Sequence, residues 1–316
     1  MSSSENKDKY RAFCRTEATI PIFSRDWWLD AVAGSEWWDV AVVERDSEIV
    51  ASFPYVFKRI PLVRIIGMPR LTQTMGIWMS YPEWQKVATR LGYEKRIVTE
   101  LIDNLPRFDI FKQRFHYSFT NWLPFFWRGF RQTTRYTYIL EDISDLDRVY
   151  SEFRENIRRE IKKAERLVEV SCDEDVELIY NLQELTFKRQ NKRVPFSLEL
   201  LRRVDSVCKE RNCRKMFFAK DHRGRVHAAL YFVWDEESGY YLLGGADPDL
   251  RTSGATSFLM WEAIKFASSV TRRFDFEGSM IESVERFFRG FGAIQKPYFY
   301  IYKRNNIFKF FPYTDV

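Results

Sequence analysis

The chain has 316 residues, of which 45% are apolar and 17% aromatic, and its 50 basic and 44 acidic residues give a net charge of +6. The length allows two ordinary domains, and so many aromatic residues exclude an intrinsically disordered chain. The modest positive charge permits an anionic ligand such as a nucleotide, a tRNA or a lipid head group, although a mixed charged surface is the simpler explanation.

The cysteines and histidines indicate whether the protein can bind a metal and in which cellular compartment it is expected. The four cysteines, at positions 14, 172, 208 and 213, form no CxxC pair, and there are only three histidines. We therefore expect no metal site and reduced thiols in a cytoplasmic protein. The polar segment Met1–Tyr10 is unlike a signal peptide. No apolar run approaches the roughly 20 residues that span a bilayer.

The first half of the chain mixes predicted helices and strands. The predicted elements are a frayed tail at Met1–Arg11, a helix at Ile22–Val32, two strands at Asp39–Val43 and Ile49–Phe57 with a turn at Asp46-Ser47, a helix at Tyr93–Leu105 and a strand at Phe108–Phe111. A helix that follows a hairpin and precedes a strand indicates an α+β arrangement.

The most aromatic stretch is Phe108–Phe130, which ends in a run of tryptophans and phenylalanines. Such side chains usually form core or the seam between domains. The basic residues Arg128, Arg131 and Arg135 follow, so a peripheral membrane contact or a ligand-facing role stays open as the alternative. A strand at Tyr136–Leu140 is expected to join the two halves.

A basic helix is predicted at Ser151–Val168, because apolar residues recur on one face at helical spacing. Arg158, Lys162 and Lys163 lie on its flanks, and like charges four residues apart disfavour an isolated helix. The helix therefore presents either an ordinary solvated face or an anion-binding edge for substrate. Further helices are predicted at Glu177–Gln190 and Leu198–Cys208.

The segment from Tyr240 to Tyr302 carries most of the functional signal. Its predicted order is a strand ending in Gly244-Gly245, a polar loop, a helix through Ala267, a strand at Phe274–Glu277, a second helix and a strand at Tyr298–Tyr302. Helix N-termini leave free N–H groups and a partial positive charge, which suit a phosphate. The candidate phosphate-binding residues around that N-terminus, which would hold a cofactor, are Arg251, Thr252, Ser253, Gly254, Ala255 and Thr256. A purely structural strand–turn–helix explains the same pattern.

Three segments recur in the same order in the two halves, which indicates an internal duplication. The matched pairs are Val43–Phe53 with Lys220–Leu230, Pro69–Leu71 with Pro248–Leu250, and Phe108–Phe111 with Phe274–Glu277. The first half lacks the Arg and the well-placed Gly of the Arg251–Gly254 loop. We therefore expect the phosphate-binding loop to lie in the second half.

These segments resemble the GNAT acyltransferases, whose donor motif of Arg or Gln, two residues, Gly, one residue and Gly or Ala is matched by Arg251-x-x-Gly254-x-Thr256 except at its last position. The runs Phe274–Gly278, Phe288–Gly292 and Asn156–Glu165 are similar to the Fem-type aminoacyltransferases. The resemblance implies tandem GNAT-like domains and an acyl-CoA or aminoacyl-tRNA donor. It also implies that the basic helix faces the acceptor.

Acyl transfer to an amine needs alignment, a proton acceptor and stabilisation of an oxyanion, and no Ser-His-Asp or Cys-His pattern. Asp275 and Glu277 lie two apart on the predicted strand and should share a face. Glu277 is the candidate base, and Asp275 contacts substrate or pairs with an arginine. Arg289 stands where the Fem-type proteins have Lys and could hold a carbonyl oxygen or an acceptor carboxylate. Tyr298 is the candidate acid for a leaving thiolate.

The sequence therefore predicts an α+β fold with a degenerate GNAT-like domain at 1–140 and an acyltransferase domain at 141–316. The expected function is N-acyl transfer from acyl-CoA to a small-molecule amine. One alternative is a Fem-like transferase that uses aminoacyl-tRNA and acts on a peptidoglycan precursor, and another is a catalytically inactive ligand-binding protein. A nucleic-acid-binding protein is disfavoured, because no binding motif accompanies the charge.

Overall fold

The computed structural model describes residues 3–60, 63–172, 175–278 and 280–305. The chain divides into two compact units. Unit 1 comprises residues 1–135 and 297–316, and unit 2 comprises residues 136–296. Each unit is built on a mixed β-sheet.

The elements follow one another along the chain with short connections. From residue 3 to residue 127 they are α1 (Ser3–Thr16), a 3-10 turn (Ile22–Ser24), α2 (Asp26–Ala33), β1 (Trp38–Arg45), β2 (Glu48–Ile60), β3 (Val63–Gly67), β4 (Trp78–Met79), α3 (Val87–Asp103), β5 (Ile110–Arg114) and α4 (Leu123–Trp127). From residue 131 onward they are β6 (Arg131–Leu140), α5 (Leu146–Ser151), α6 (Glu155–Ala164), β7 (Glu169–Ser171), α7 (Val176–Arg189), α8 (Leu198–Glu210), β8 (Arg214–Lys220), β9 (Val226–Trp234), β10 (Ser238–Ala246), a 3-10 turn (Arg251–Ser253), α9 (Ala255–Ala267), β11 (Arg273–Asp275), α10 (Glu282–Arg289) and β12 (Ile294–Arg304).

The sheet of unit 1 has the order β1-β2-β3-β5-β12, with β4 paired to β2. The hairpin β1–β2 turns at Asp46 and Ser47, whose φ angles of 51° and 69° are those of the left-handed central residues of a type I′ turn. The strands β3 and β5 are parallel, and the chain that connects them contains α3. The strands β5 and β12 are antiparallel. The hairpin and its turn confirm the sequence prediction.

The sheet of unit 2 has the order β7-β8-β9-β10-β11-β6. The strands β8, β9 and β10 are antiparallel neighbours. The strands β10 and β11 are parallel, and the chain that connects them contains α9. The strands β11 and β6 are antiparallel. Its five strands from β8 to β6 therefore repeat the order and directions of β1, β2, β3, β5 and β12. The fold is α+β with two sheets of one topology, as the ordered sequence matches predicted, and an internal duplication explains this repeat.

Several assignments differ from those expected, among them the N-terminal tail and the domain division. The tail at Met1–Arg11 was expected to fray, but α1 begins at Ser3, and Tyr10 is fully buried with its hydroxyl donating to the carbonyl oxygen of Ser24 at 2.7 Å. Arg11 also pairs with Asp30 at 2.7 Å. The expected domain division lay between residues 140 and 141. Residues 297–316 belong instead to unit 1, because β12 pairs with β5.

Each unit has its own apolar core. In unit 2, α6 and α9 cover one face of the sheet, with Ile161, Ala164, Met260 and Ile264 fully buried. In unit 1, the aromatic stretch supplies buried rings that include Phe111, Phe115 and Phe125, so most of its phenylalanine rings lie in the core or pack against it, as its composition favoured. No helix in the described part of the chain is long and apolar enough to cross a membrane.

Candidate active site in unit 2

The parallel strands β10 and β11 separate soon after they begin to pair. Their ladder covers three residue pairs and ends at Tyr240 opposite Asp275, whereas β10 continues to Ala246 along β9. The chain after β11 stays with β6 instead, since the N–H of Phe276 donates to the carbonyl oxygen of Tyr138 at 3.0 Å. A register shift in β10 between Tyr241 and Leu243 lies beside this separation. The sheet therefore opens between β10 and residues 276–278.

Asp275 lies at the start of this opening with only 6% of its surface exposed. One carboxylate oxygen, Oδ1, accepts hydrogen bonds from the hydroxyl of Thr137 at 2.5 Å and from the backbone N–H of Glu277 at 2.7 Å. Burial raises the pKa of Asp275 to about 6, although both hydrogen bonds oppose the rise. Asp275 thus ties β6 to the turn that carries Glu277.

The sequence predicted that Glu277 lies on the strand, but β11 ends at Asp275 and Glu277 lies beyond it. Its φ of 57° is in the left-handed region, which costs a non-glycine residue on the order of 1 kcal/mol. The alternation that would place Asp275 and Glu277 on one face therefore does not apply. The turn points Glu277 toward Tyr241, whose pKa is raised mainly by burial and further by the Glu277 carboxylate. Non-glycine residues held in this conformation are frequent at active sites.

Tyr241 was not singled out from the sequence, yet it lies in the opening. Its ring packs against Phe288 of α10 with centroids 5.8 Å apart. Its hydroxyl passes over Gly244, where an added Cβ would approach it to 1.8 Å. Gly245 is in turn packed against the backbone of Leu182 in α7. The two glycines at the end of β10 are therefore required by packing on both sides of the strand.

The six predicted donor-binding residues surround the start of α9. Arg251 and Thr252 are exposed, Ser253, Gly254 and Ala255 are buried, and Thr256 is half-buried. The hydroxyl oxygen of Ser253 accepts from the N–H of Ala255 at 3.3 Å.

Gly254 makes room for α6. Its φ is 83°, and an added Cβ would lie 2.3 Å from the backbone oxygen of Glu160 and 3.0 Å from its carboxylate. The sequence had assigned this space to a donor phosphate. Packing of α6 on this turn accounts for the glycine without a ligand.

We expect Gly254→Ala to lower the free energy of unfolding by about 3 kcal/mol, because the new methyl group meets backbone and the left-handed conformation is strained. The matched control is Gly224→Ala, where φ is 75° and nothing lies within 4 Å of the added Cβ. That change should cost about 1 kcal/mol, from conformation alone. Urea denaturation of both variants measures the difference, and equal losses would show that α6 does not restrict this position.

The basic helix α6 packs on this turn, and its predicted substrate-binding residues differ in their contacts. The ammonium group of Lys163 donates to the carbonyl oxygen of Thr252. Arg158 is half-exposed and donates to the carbonyl oxygen of Ser151 at 3.0 Å, and Lys162 is exposed. Lys163 therefore adjoins the predicted donor loop, whereas Arg158 is hydrogen-bonded to the end of the preceding helix α5.

Within the described residues, the Arg289 guanidinium is held by a hydrogen bond from Nε. Its Nε donates to Glu285 at 2.8 Å, and the same carboxylate oxygen accepts from the Tyr138 hydroxyl at 2.7 Å. Gln295 donates to that hydroxyl at 2.6 Å. The Tyr138 and Arg289 hydrogen bonds hold the pKa of Glu285 below its usual value. Because Arg289 is 45% exposed, its two terminal nitrogens can reach an anion while Nε stays fixed.

Tyr298 belongs to unit 1, unlike every other predicted site residue. It is buried, and its hydroxyl accepts from the side-chain nitrogen of Gln73 at 3.3 Å. Its role as an acid stays a prediction. Within the described residues, no group of His, Cys, Asp and Glu is placed to hold a metal ion.

The sequence identified the segment from Tyr240 to Tyr302 as the site, but it did not single out Thr137, Tyr138 or Tyr241. Thr137 and Tyr138 are 138 and 147 residues from their partners Asp275 and Glu285, and no local pattern marks such pairs. Tyr241 was also not marked by a local pattern, because residues three apart in a regular strand face opposite sides of the sheet. The register shift between Tyr241 and Leu243 lies between this residue and Gly244.

One protein family and several solved structures are similar to this chain. Residues 151–288 match the acetyltransferase (GNAT) domain family. A search of the curated proteins found no relative. A crystal structure of FemX superposes with a TM-score of 0.66 at 14% identity, over 95% of this chain and 96% of that one.

Two other solved structures share the fold. One is L-PGS from Bacillus licheniformis, with a TM-score of 0.52, 11% identity and coverage of 98% of this chain and 94% of that one. The other is a tandem GNAT protein from the clavulanic acid biosynthesis pathway, with a TM-score of 0.51, 9% identity and 95% of each chain covered. These similarities confirm the Fem-like, tandem GNAT fold that the sequence predicted.

Proposed function

We propose that this chain is an acyltransferase that moves an acyl group from acyl-coenzyme A to an amine, and the match of residues 151–288 to the GNAT acetyltransferase domain supports this. The observation that carries the proposal is the opening between β10 and residues 276–278, with Glu277 held in the left-handed region beside it. A thioester donor is already activated, so the protein has to align it, accept a proton and stabilise an oxyanion.

The donor is proposed to lie along β10 beyond Tyr240, where the strand no longer pairs with β11. Backbone N–H groups of the strand bind the acyl carbonyl oxygen there, as they would bind a neighbouring strand. Arg251, on the exposed 3-10 turn before α9, contacts the donor phosphates together with the N–H of Thr256. Lys163 supports this turn through the carbonyl of Thr252.

Glu277 is proposed to accept the proton of the attacking amine, directly or through water. Its side chain is half-buried beside the opening, where a carboxylate can act as a general base. Asp275 and Thr137 act as positioning residues, because the N–H of Glu277 is fixed by Asp275. Arg289 holds an anionic group of the acceptor through its terminal nitrogens.

A second donor, aminoacyl-tRNA, is favoured by one observation. The Glu160 carboxylate lies close to Gly254, and a carboxylate at the donor turn opposes a pyrophosphate. A peptidoglycan precursor would then be the acceptor. An ester donor meets the same proton acceptor and oxyanion site in unit 2, so the chemistry at Glu277 is common to both proposals.

A thermal-shift experiment separates the donors, since a ligand that binds only the native state raises Tm. Coenzyme A should raise Tm of the wild type by several degrees at saturation, and Arg251→Ala should reduce that shift. The matched control is Arg272→Ala, an exposed arginine beyond the other end of α9. A shift only with a 3′-aminoacyl-adenosine would assign the tRNA donor. No shift with either ligand would contradict both proposals.

A further inference from the structure

Unit 1 exposes six large apolar side chains on and just before two of its helices. Trp84 lies three residues before α3, Val87 and Leu91 lie in its first turns, and Leu123, Phe126 and Trp127 lie on α4. Trp84 is 97% exposed and Val87 is 76% exposed. We call these six residues the α3–α4 surface. A contiguous apolar patch of this kind on a soluble protein usually marks an interaction site.

The two helices form one surface because they are in contact. The Asn121 side chain, just before α4, donates to Glu94 of α3 at 2.9 Å. The ammonium group of Lys95 lies 5.3 Å from the centre of the Trp127 ring. Val87, Leu91 and Lys95 are four residues apart and so share one face of α3. Trp127 therefore lies at the end of the same row.

The start of α3 projects from the unit. Every residue from Lys86 to Leu91 is exposed, and the first fully buried residue of the helix is Ile97. The apolar residues at 87 and 91 thus make no contribution to the core of unit 1. Only a binding partner outside this unit could cover these two side chains.

The charges around the surface are mainly positive. Residues 83–96 and 121–128, together with Asp103 of α3, contain five basic and three acidic side chains. Arg90 pairs with Glu94 at 3.6 Å, and Arg128 pairs with Asp103 of α3. Lys86 and Arg96 are exposed, and Lys95 extends over Trp127. A surface that combines exposed tryptophans with cations complements an anionic lipid bilayer.

We propose that the α3–α4 surface docks unit 1 on the interface of an anionic phospholipid membrane. Trp84, Phe126 and Trp127 enter the head-group region, where amphipathic rings are favoured, and the basic side chains contact lipid phosphates. This is peripheral binding, which adds apolar burial to charge attraction. The inference does not rest on the proposed reaction, because it concerns only the exposed residues of unit 1.

The test is co-sedimentation of the full chain with vesicles of phosphatidylcholine alone or mixed with phosphatidylglycerol. The wild type should bind the mixed vesicles, and added salt should weaken binding. The double variant Trp84→Ala with Trp127→Ala should lower the partition coefficient about tenfold or more. Lys86→Glu with Lys95→Glu should lower binding to mixed vesicles only. The control is Trp37→Ala, a tryptophan of unit 1 that is 48% exposed outside this surface.

Three results would overturn the proposal. One is a wild type that does not bind the mixed vesicles. Another is a Trp84 and Trp127 double variant that binds as well as the Trp37 control. A third is a wild-type dimer in sedimentation velocity that this double variant converts to a monomer, since a second copy of the chain would then cover the surface.

Discussion

Replacing Glu277 by Gln is expected to lower turnover about 10²–10⁴-fold, because the amide cannot accept the proton of the attacking amine. Gln is nearly isosteric, so the shape of the opening beside β10 should persist. The donor-induced rise in Tm should remain, since the proposed donor contacts are Arg251 and backbone groups. Steady-state kinetics and thermal shift on the same preparation measure both effects.

The matched control is Glu282→Gln, an exposed carboxylate in the first turn of α10. It should change turnover less than about twofold, as expected for a surface substitution. A Glu277→Gln enzyme as active as the control would contradict the base assignment. A variant that loses donor binding together with turnover would make Glu277 a binding residue instead.

Asp275→Asn is expected to stabilise the protein above pH 6 by about 1–3 kcal/mol. Burial raises the pKa of Asp275 to about 6, above the value of 3.8 for a free side chain. The folded state therefore favours the protonated carboxyl, so this contribution to stability is present below about pH 4 and is lost as the pH rises through about 6. Asn stays neutral and still accepts from Thr137 and Glu277.

Urea denaturation at pH 4 and pH 8 measures this effect. The Asn variant should exceed the wild type in stability at pH 8 and match it at pH 4. Asp249→Asn, at an exposed position after β10, is the control for general charge effects. A variant less stable than the wild type at pH 8 would show that the ionised carboxylate has a favourable partner, and the positioning role of Asp275 would then need revision.

Much of the fold could be predicted because its signals are local. The pair Asp46-Ser47 between alternating apolar residues predicted a hairpin, and the repeated order of segments predicted two sheets of one topology. The helix α1 was missed because few of its residues are apolar. Tyr10 and Cys14 become buried only when β1 and α2 are in place, which a local pattern does not show.

The candidate site was predicted less completely, for a physical reason. The proposed base Glu277 lies after β11 has ended. Because its φ is positive, the alternation of side chains along β11 does not predict where its side chain points. The partner of Asp275 is Thr137, on a strand from the middle of the chain. Gly254 was assigned to a ligand, although its neighbour is the backbone of Glu160.

Acyl transfer by unit 2 can be tested by a product assay. The purified chain is incubated with isotope-labelled acetyl-coenzyme A, or with a labelled aminoacyl-tRNA, and a panel of amino sugars, amino acids and peptidoglycan precursors. Mass spectrometry then searches for labelled amides. We expect a labelled amide from one donor with the wild type and a loss of about 10²-fold or more with Glu277→Gln. No amide from either donor, or equal product from both proteins, would contradict acyl transfer through Glu277.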